Sequence, residues 1–316
     1  MVILIAGSPH DKTIRHTIDR ARRRGVSFRY FDILRFLRQG SYCWDFDARS
    51  GRLSYSDQRL DLPDPDVSAI YLRLVDISDR VPGEERDSVN VRTRVLVEAL
   101  RSIDTIVVNR PGQDMSNWAK GYHQQLLAQC GLTVPRTLVT NDEAAARAFL
   151  AEVPSAVFKG ASGAKTIASE FTVDRHSKLH LLRASPVLFQ ERIVGADVRT
   201  HLIGDSHISE RIDSSGVNYQ FDRGHKTYEP LTVPDDIAER CRAYQTMSGL
   251  TFIGFDFMMT ADGEYFALEA NPLPGYDSYD RRLGFAISDA LLGLLSDGAA
   301  TAMPRLGSTE VGNWPS

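Results

Sequence analysis

Short apolar stretches alternate with amphipathic stretches along the first third of the chain. Buried strands are predicted at VILIAG, VSFRYFDI, VSAIYLRLV and DTIVVN, and helices over residues 11–24 and 84–102. Strands separated by helices are typical of a parallel sheet with helices on its faces. We therefore expect a parallel α/β domain over residues 1–110, with a small hairpin that turns at Ser50 and Gly51.

The pattern changes after residue 110. Helices are predicted over residues 117–130, after a cap at Asn141 or Asp142, over residues 175–183 and 235–249, and over FAISDALLGLLSDG. Short strands lie between the first of these helices, and strands dominate from PVLFQERI onward. This mixture predicts a small α+β unit followed by a strand-rich part, and the tail after residue 302, rich in Gly, Ser and Pro, is expected to be loose.

The stretch GFDFMMTADGEYFALEANP, residues 254–272, predicts two strands joined by a tight turn at its Asp-Gly dipeptide. Because side chains alternate along a strand, a two-residue turn places Asp256 directly opposite Glu269, with Asn271 on the same face. The other face is then expected to belong to the core, with Phe255, Phe257 and Met259 packed against Phe266, Leu268 and Ala270.

Two opposed carboxylates repel each other, since directly paired residues have Cβ atoms about 4.5–5.5 Å apart. A cation between them would remove that repulsion. Two carboxylates and the amide oxygen of Asn271 suit Mg²⁺ or Mn²⁺ rather than zinc. Two alternatives stay open at this point: the hairpin exposes both acids to water, or a three-residue loop over residues 261–263 puts them on opposite faces.

The 316-residue chain has a net charge of −4, with 42% apolar and 25% charged residues. This charge provides no field that would recruit nucleic acid or an anionic membrane. Three widely separated cysteines suit a reducing compartment: Cys43, Cys130 and Cys241. Neither a signal peptide nor a membrane-spanning run is recognised. We therefore expect a cytoplasmic protein without nucleic-acid or membrane partners.

The small-residue stretch GASGAKT, residues 160–166, is not a P-loop, because only two residues separate its glycines and Ala164 precedes Lys165. It is still a turn, whose backbone amides either cradle phosphate or belong to a flexible hairpin. Lys159 ends the apolar strand AVFKG, where a lysine is costly unless it meets a phosphate or reaches the surface. Lys120, at the start of a helix, could equally be a plain surface residue.

The stretch FQERIVGADVRT places Gln190 and Glu191 at a strand end, where they could bind an adenine edge and ribose hydroxyls. Asp197 and Arg199 alternate onto one face of the next strand, and Arg211 lies on its neighbour. Two arginines near a dicarboxylate site are either salt-bridge partners or anion clamps.

Taken in order, these pieces resemble the ATP-grasp ligases. The pieces are a lysine before LLAQCGLTVPRT, the strand lysine in AVFKG, a Gly/Ser turn, QERIVGADVRT, an arginine strand and GFDF…EYFALEANP. The likeness is to the RimK-like branch, which includes glutamate ligases and ligases that modify ribosomally made peptides. It covers residues 105–295, and the first hundred residues fit the N-terminal α/β domain of that family.

The resemblance implies an α/β chain whose ATP-grasp part is two-lobed, α+β and built on antiparallel sheets. The central lid part would cover residues 111–186, the C-terminal part with the metal site residues 187–302, and the tail residues 303–316. Lys120 and Lys159 would contact the ATP phosphates. Further nucleotide contacts are implied at Gly163, Lys165, Gln190, Glu191, Ile193 and Asp197. The metal ligands would be Asp256, Glu269 and Asn271. The catalytic arginines would be Arg211, with Arg199 assisting.

The same resemblance implies an ATP-dependent carboxylate–amine ligase that works through an acyl phosphate, with Mg²⁺ or Mn²⁺ as cofactor. Its substrate would be an amino acid or peptide, and a homodimer is left open. A ligase for free small amino acids and a non-catalytic nucleotide-binding module are the alternatives. Residues 212–230 depart from the glutamate-ligase pattern, so specificity stays open, and Arg73 is either a substrate-carboxylate contact or a buried ion-pair partner.

Overall fold

The computed structural model describes residues 2–76, 80–112, 120–161, 168–214 and 224–297 of the chain. Its first part contains ten elements: β1 (Val2–Gly7), α1 (Lys12–Arg23), β2 (Phe28–Asp32), α2 (Ile33–Gln39), β3 (Ser41–Asp45), β4 (Ser50–Tyr55), β5 (Gln58–Leu62), β6 (Val67–Arg73), α3 (Arg86–Ser102) and β7 (Ile106–Val108). Strands β2, β1, β6 and β7 form the first sheet in that order, and all are parallel. The predicted parallel α/β fold is confirmed.

The predicted hairpin between β2 and β6 is a three-stranded antiparallel sheet of β3, β4 and β5. Its first turn is not at Ser50 and Gly51, which pair with Asp45 and Trp44 inside the ladder. The turn occupies the four residues before Ser50, residues 46–49, where Arg49 adopts a positive φ of 50°. The Ser-Gly dipeptide was therefore a misleading signal, because Gly51 serves close backbone packing beside Trp44 instead.

The second sheet is antiparallel and small. Its strands are β8 (Thr137–Thr140), β9 (Ala156–Gly160), β10 (Ser169–Glu170) and β11 (Val187–Glu191). Helix α4 (Lys120–Gln129) precedes β8, α5 (Glu143–Glu152) lies between β8 and β9, and a 3₁₀ helix at Val173–Ala184 lies between β10 and β11. The strand order is β10-β9-β11-β8. Asp142 caps α5 by accepting the N–H of Ala145 at 2.9 Å, as the sequence predicts. Because β11 joins this sheet, the change of sheet falls after Glu191 rather than after residue 186.

The third sheet holds five antiparallel strands. The elements are β12 (Ala196–Ile203), β13 (Ser206–Asp213), β14 (Thr227–Leu231), α6 (Asp235–Ser248), β15 (Phe252–Met259), β16 (Tyr265–Asn271), α7 (Asp277–Arg282) and α8 (Ala286–Ser296). Their order is β14-β13-β12-β15-β16. The sequence analysis missed β14, which contains Pro230, because a proline argues against a strand except at a sheet edge.

The first and third sheets share one hydrophobic core. Helix α8 supplies Leu291 and Leu295, which cluster with Ile5 of β1 and Phe252 of β15. The side chain of Asn109, just after β7, adds a polar connection, since its Nδ2 donates to the carbonyls of Phe252 at 2.6 Å and Pro272 at 2.5 Å. Its Oδ1 accepts the N–H groups of residues 251 and 252, both at 2.9 Å.

A second core lies on the other side of the third sheet, under α6, and includes Phe255, Phe257 and Tyr244. Among the residues with described structure, no helix combines the length and the apolar character needed to cross a bilayer.

Candidate functional site

The hairpin of β15 and β16 carries the two predicted acids. Asp256 pairs directly with Glu269. The connecting turn is a three-residue loop, closed by the N–H of Thr260, which donates to the carbonyl of Glu264 at 2.9 Å. The predicted two-residue turn is therefore wrong. The expectation that a three-residue loop would separate the acids is wrong as well.

A β-bulge reconciles the longer loop with the opposed acids. The register shifts between Asp256 and Phe257, so that Phe257 pairs with Ala267. Leu268 is the extra residue of β16. Because side chains alternate, the extra residue in the loop shifts the pairing by one position, and the extra residue in the strand shifts it back. Glu269 consequently returns to the face of Asp256.

Between the turn and the bulge, the three-residue loop changes which side chains reach the core. Tyr265 and Ala267 are 7% and 0% exposed and belong to the core under α6. The sequence analysis placed Phe266 and Leu268 there, and that expectation is wrong. Between the turn and the bulge, the observed strand pairing differs by one residue from the predicted pairing. Leu268 lies toward α4 instead, and its carbonyl accepts the Nε2 of Gln124 at 2.8 Å.

A cleft lies between α4, the second sheet and β16. Its lining residues are Lys120, His123, Gln124, Lys159, Leu188, Gln190, Leu268 and Glu269. The structure thus brings four predicted site residues together from four separate stretches of sequence. Two are lysines, one is a carboxylate and one is an amide, which is a mixed-charge lining suited to a polar, anionic ligand bound with a cation.

Lys159 faces both the second lysine and the two acids. Burial lowers the pKa of Lys159, the charge of Lys120 lowers it further, and Glu269 and Asp256 oppose that shift. A buried ammonium beside another cation is costly unless an anion occupies the space between them. The position of Lys159 at the end of β9 is therefore explained by the cleft rather than by the surface.

Asp256 has only one of its carboxylate oxygens satisfied. Its Oδ2 accepts the Nη1 of Arg199 at 2.7 Å, whereas its buried Oδ1 has no hydrogen-bond partner in the described ranges. Burial raises the pKa of Asp256, Arg199 lowers it, and Glu269 raises it again. A buried oxygen without a partner costs stability, which is the expected signature of a ligand position.

These donors fit a hard divalent cation. The Oδ1 of Asp256, the carboxylate of Glu269 and the amide oxygen of Asn271 are all oxygen donors, and the last already accepts the N–H of Leu273 at 2.9 Å. Over the described ranges, no group of three His, Cys, Asp or Glu residues is arranged to hold a metal by itself. Phosphate or water oxygens would have to complete the shell, as is usual for Mg²⁺.

Arg199 reaches Asp256 because a glycine leaves room for it. A Cβ on Gly254 would lie 2.2 Å from the Nη2 and 2.6 Å from the Cζ of Arg199. The guanidinium is 4% exposed, and its Nε donates to the Nε2 of His201 at 3.4 Å. Burial, reinforced by Arg199, holds the pKa of His201 well below its usual range, so the ring is a neutral acceptor.

The remaining predicted contacts lie around this cleft. Asp197 shares the face of Asp256, and burial raises its pKa to about 7, with Asp256 and Asp213 adding to the shift. Gln190 is buried in the cleft, and its Nε2 donates to the Oγ1 of Thr137 at 3.0 Å. Glu191 and Ile193 follow it, partly buried but outside the cleft lining. The predicted contacts at Gly163 and Lys165 lie outside the described residues.

No family model matches the chain. A sequence comparison finds a probable alpha-L-glutamate ligase of Haemophilus influenzae that is 26% identical over 180 residues, which are 53% of this chain. The aligned part spans 59% of the length of that relative.

Solved structures resemble the chain over nearly its whole length. The ATP-grasp ligase PsnB, complexed with a minimal precursor, matches with a TM-score of 0.79 and 26% identity over 94% of this chain and 98% of that chain. A complex of PsnB with a phosphomimetic precursor variant, Mg and ADP is 27% identical. These comparisons show similarity to the ATP-grasp ligases, and they support the RimK-like branch that the sequence resembles. The macrocyclase MdnC from Microcystis aeruginosa MRC, bound with the precursor peptide MdnA, shares the fold, with a TM-score of 0.80 and 22% identity over 94% of this chain and 100% of that chain.

Arg211 does not join the acids. It pairs with Val198, which packs in the core under α6, whereas Arg199 pairs with Glu210 and Asp256 on the other face. The guanidinium of Arg211 instead binds Asp213 through two hydrogen bonds of 2.9 Å. The Gly-Asp dipeptide at residues 204–205 could have shown this, because a two-residue turn there pairs Arg199 with residue 210.

The sequence analysis missed two polar residues of the cleft. His123 and Gln124 follow Lys120 by three and four positions, so helical periodicity could have placed them on the same face. The Nε2 of His123 accepts the N–H of Ala270 at 2.9 Å. Burial, then Lys159 and Lys120, lowers the pKa of His123 to about 4. The neutral ring therefore fixes β16 next to the acids.

Proposed function

We propose that the chain is an ATP-dependent carboxylate–amine ligase that forms an amide bond on a peptide through an acyl phosphate. The observation that carries this proposal is the cleft itself. Two lysines face two opposed carboxylates, and a buried oxygen of one carboxylate has no partner among the described residues. A triphosphate with a divalent cation supplies the charges that both pairs lack.

Lys120 and Lys159 would bind the phosphates, since both line the cleft and the charge of Lys120 lowers the pKa of Lys159. Gln190 lines the same cleft, and the following residues Glu191 and Ile193 would contact the base and ribose. Asp197 is assigned to the nucleotide on the resemblance, supported by its position beside Asp256. For Gly163 and Lys165, the proposed phosphate contacts rest on the sequence alone.

Asp256, Glu269 and Asn271 would hold Mg²⁺, and we propose that Mn²⁺ can replace it because both prefer oxygen donors. When bound, the metal disperses the negative charge of the phosphates. The opposed carboxylates would fix its position, and Arg199 would hold the second oxygen of Asp256.

In the proposed reaction, a carboxylate oxygen of the substrate attacks the γ-phosphorus, and the bond from phosphorus to the β-phosphate oxygen breaks to release ADP. The amine nitrogen then attacks the acyl carbon, the carbon–oxygen bond to phosphate breaks, and the amine proton leaves to solvent. The two lysines would orient the phosphates so that the attacking carboxylate oxygen and the leaving β-phosphate oxygen lie in line at the γ-phosphorus. No role is assigned to Arg211, because its guanidinium binds Asp213 on the other face of the sheet.

A peptide substrate is favoured by the structural likeness to PsnB and MdnC, whose complexes contain precursor peptides. The second candidate is the ligation of free amino acids, which the similarity to a probable alpha-L-glutamate ligase favours. A cytoplasmic location and a homodimer stay predictions, which cell fractionation and sedimentation would test.

Thermal melting with ADP, with and without Mg²⁺, tests the nucleotide site first. Nucleotide at 100 times its dissociation constant stabilises a protein by about 2.7 kcal/mol, so we expect a Mg²⁺-dependent rise in Tm. The absence of any shift would overturn the proposed function. ADP release with pairs of free amino acids, compared with release with a library of peptides that contain acidic and lysine side chains, then separates the two candidates.

A further inference from the structure

The loop that follows the metal-site hairpin, residues 272–276, is held by the first sheet. Arg73, the last residue of β6, donates from its Nη1 to the carbonyl of Pro274 at 2.7 Å. Asn109, just after β7, donates from its Nδ2 to the carbonyl of Pro272 at 2.5 Å. Both carbonyls lie within three residues of Asn271, so residues far away in the sequence fix the chain directly after the proposed metal ligands.

Arg73 is itself fixed. Its Nε donates to the Oδ2 of Asp11 at 2.9 Å, and the two side chains are 6% and 8% exposed. The other oxygen of Asp11 accepts the N–H of Thr13 at 2.8 Å and caps α1. The sequence left a choice between a substrate contact and a buried ion pair, and the structure shows the ion pair. A guanidinium engaged on two sides by the protein is suited to hold backbone in place.

The held loop lies beside the arginine of the metal site. The space above Gly254 is shared: a Cβ there would be 2.2 Å from the Nη2 of Arg199 and 2.7 Å from the Cβ of Pro274. Arg199 and Pro274 are therefore neighbours across that glycine. The other Nη of Arg199 donates to the Oδ2 of Asp256 at 2.7 Å.

We propose that Arg73, together with Asp11, is a positioning residue for the nucleotide site. Through the carbonyl of Pro274 it holds the loop beside Arg199, which holds one oxygen of Asp256 and so keeps this carboxylate in place opposite Glu269. This inference rests on the proposed function, because it assigns Asp256 to a metal. It makes the first sheet part of the catalytic scaffold, although none of its residues lines the cleft.

Arg73→Lys tests this role with Arg20→Lys as the matched control. Lysine retains the charge beside Asp11 but lacks the planar fork that reaches both Asp11 and Pro274. Arg20 makes an equivalent pair between α1 and α8, with bonds of 2.8 and 2.7 Å to Asp289, and does not bond to the loop. Each variant weakens a hydrogen-bonded contact between the N-terminal part that holds the first sheet and the C-terminal part that holds the third sheet. Only Arg73→Lys removes a bond to the loop at residues 272–276.

The measurement is the dissociation constant of ADP, by calorimetry, in the presence of Mg²⁺ and in the presence of EDTA. In Arg73→Lys we expect the affinity for Mg²⁺ to fall by about tenfold, which is the smallest loss typical of substitutions outside the ligand shell of a metal. The increase in ADP affinity that Mg²⁺ provides should fall by the same factor. The constant in EDTA should stay within about twofold of wild type, since the lysines of the cleft are unchanged. Arg20→Lys should retain the full Mg²⁺ effect.

The outcomes separate the two proposals. A wild-type protein that binds ADP equally well with and without Mg²⁺ overturns the proposed function. A normal wild-type response that is retained in Arg73→Lys overturns the positioning role alone. If Arg73→Lys does not fold, Asp11→Asn replaces it as the test. The amide oxygen of the asparagine can still cap α1, but the negative charge that holds Arg73 is gone. A Mg²⁺ effect on ADP affinity that equals that of wild type overturns the positioning role, and a reduced effect supports it.

Discussion

The two faces of the third sheet differ in the side chains that they bury: one buries apolar side chains and the other buries ionisable groups. The face under α6 is apolar and closed at its centre, with Val198, Phe255, Phe257, Ala267 and Ala270 all 1% exposed or less. The opposite face carries ionisable groups whose pKa values are displaced by burial: those of Asp197 and Asp256 are raised and that of His201 is lowered. One face stabilises the fold, whereas the other holds charges that the fold alone does not neutralise.

The ionisable face is itself divided. Toward α7, the buried Glu210 binds Arg282 through hydrogen bonds of 2.8 and 2.5 Å, and Arg282 stacks 4.0 Å from the ring centroid of Tyr228. Toward β16, the buried Oδ1 of Asp256 has no partner within the described structure. Buried charges that are paired are structural, whereas a buried oxygen without a partner marks where a ligand is needed. The difference locates the site at the β15–β16 end of the sheet.

Removal of a core side chain should have the largest effect on stability. Phe257→Ala deletes a ring that is 1% exposed, and such deletions cost about 3–5 kcal/mol. Urea unfolding measures the change. Phe266→Ala is the matched control, because the three-residue loop turns Phe266 away from that core, and it should cost less than half as much. Equal costs would contradict the register reported for β16.

Removal of one acid should affect turnover rather than folding. Asp256→Asn is expected to lower Mg²⁺-dependent ADP formation at least about a hundredfold, since even outer-shell substitutions cost 10–100-fold at metal sites. The melting temperature should hold or rise, because burial disfavours the charge that is lost, and the amide oxygen can still accept from Arg199. Asp262→Asn, in the exposed turn of the same hairpin, is the control. Wild-type turnover in Asp256→Asn would overturn the metal assignment.

Much of the fold follows from local patterns in the sequence. The bounds of β1 match the predicted strand VILIAG, and the alternation of strands and helices correctly gave the parallel first sheet. The pairing of Asp256 with Glu269 was also correct. Periodicity and turn chemistry act over a few residues, so they can be recognised without knowledge of the partner elements.

The parts that were missed depend on distant partners or on register. The bulge at Leu268 leaves no sign in the sequence, because it is set by packing against α4 and α6. Asn109 bonds to residues more than 140 positions away, and nothing near it predicts that role. The role of Arg211 came from the family resemblance, whereas the Gly-Asp turn before it places its side chain on the face opposite that of Asp256.

Acid should weaken the contact between α4 and the hairpin through His123. Its pKa is lowered from 6.5 to about 4, so the unfolded chain binds a proton that the folded chain does not, and stability present above pH 6.5 is lost as the pH falls. Between pH 7 and pH 5 this one group should cost about 2 kcal/mol. Urea unfolding at both pH values measures it. His123→Gln should reduce the pH dependence by that amount, and an unchanged dependence would show that the ring is not buried as a neutral acceptor.

Substitution of Arg211 should have the smallest effect, and it tests the assignment of faces directly. Its ion pair with Asp213 is 39% and 45% exposed on the two sides, and exposed pairs contribute about 0–1 kcal/mol. We therefore expect Arg211→Ala to unfold within about 1 kcal/mol of wild type and to retain Mg²⁺-dependent ADP formation. Arg199→Lys, on the other face, should lose ADP formation while remaining folded. If Arg211→Ala loses activity as Arg199→Lys does, the guanidinium of Arg211 must reach the reacting groups in the substrate complex, and the division of the sheet into a structural and a chemical face fails at that strand.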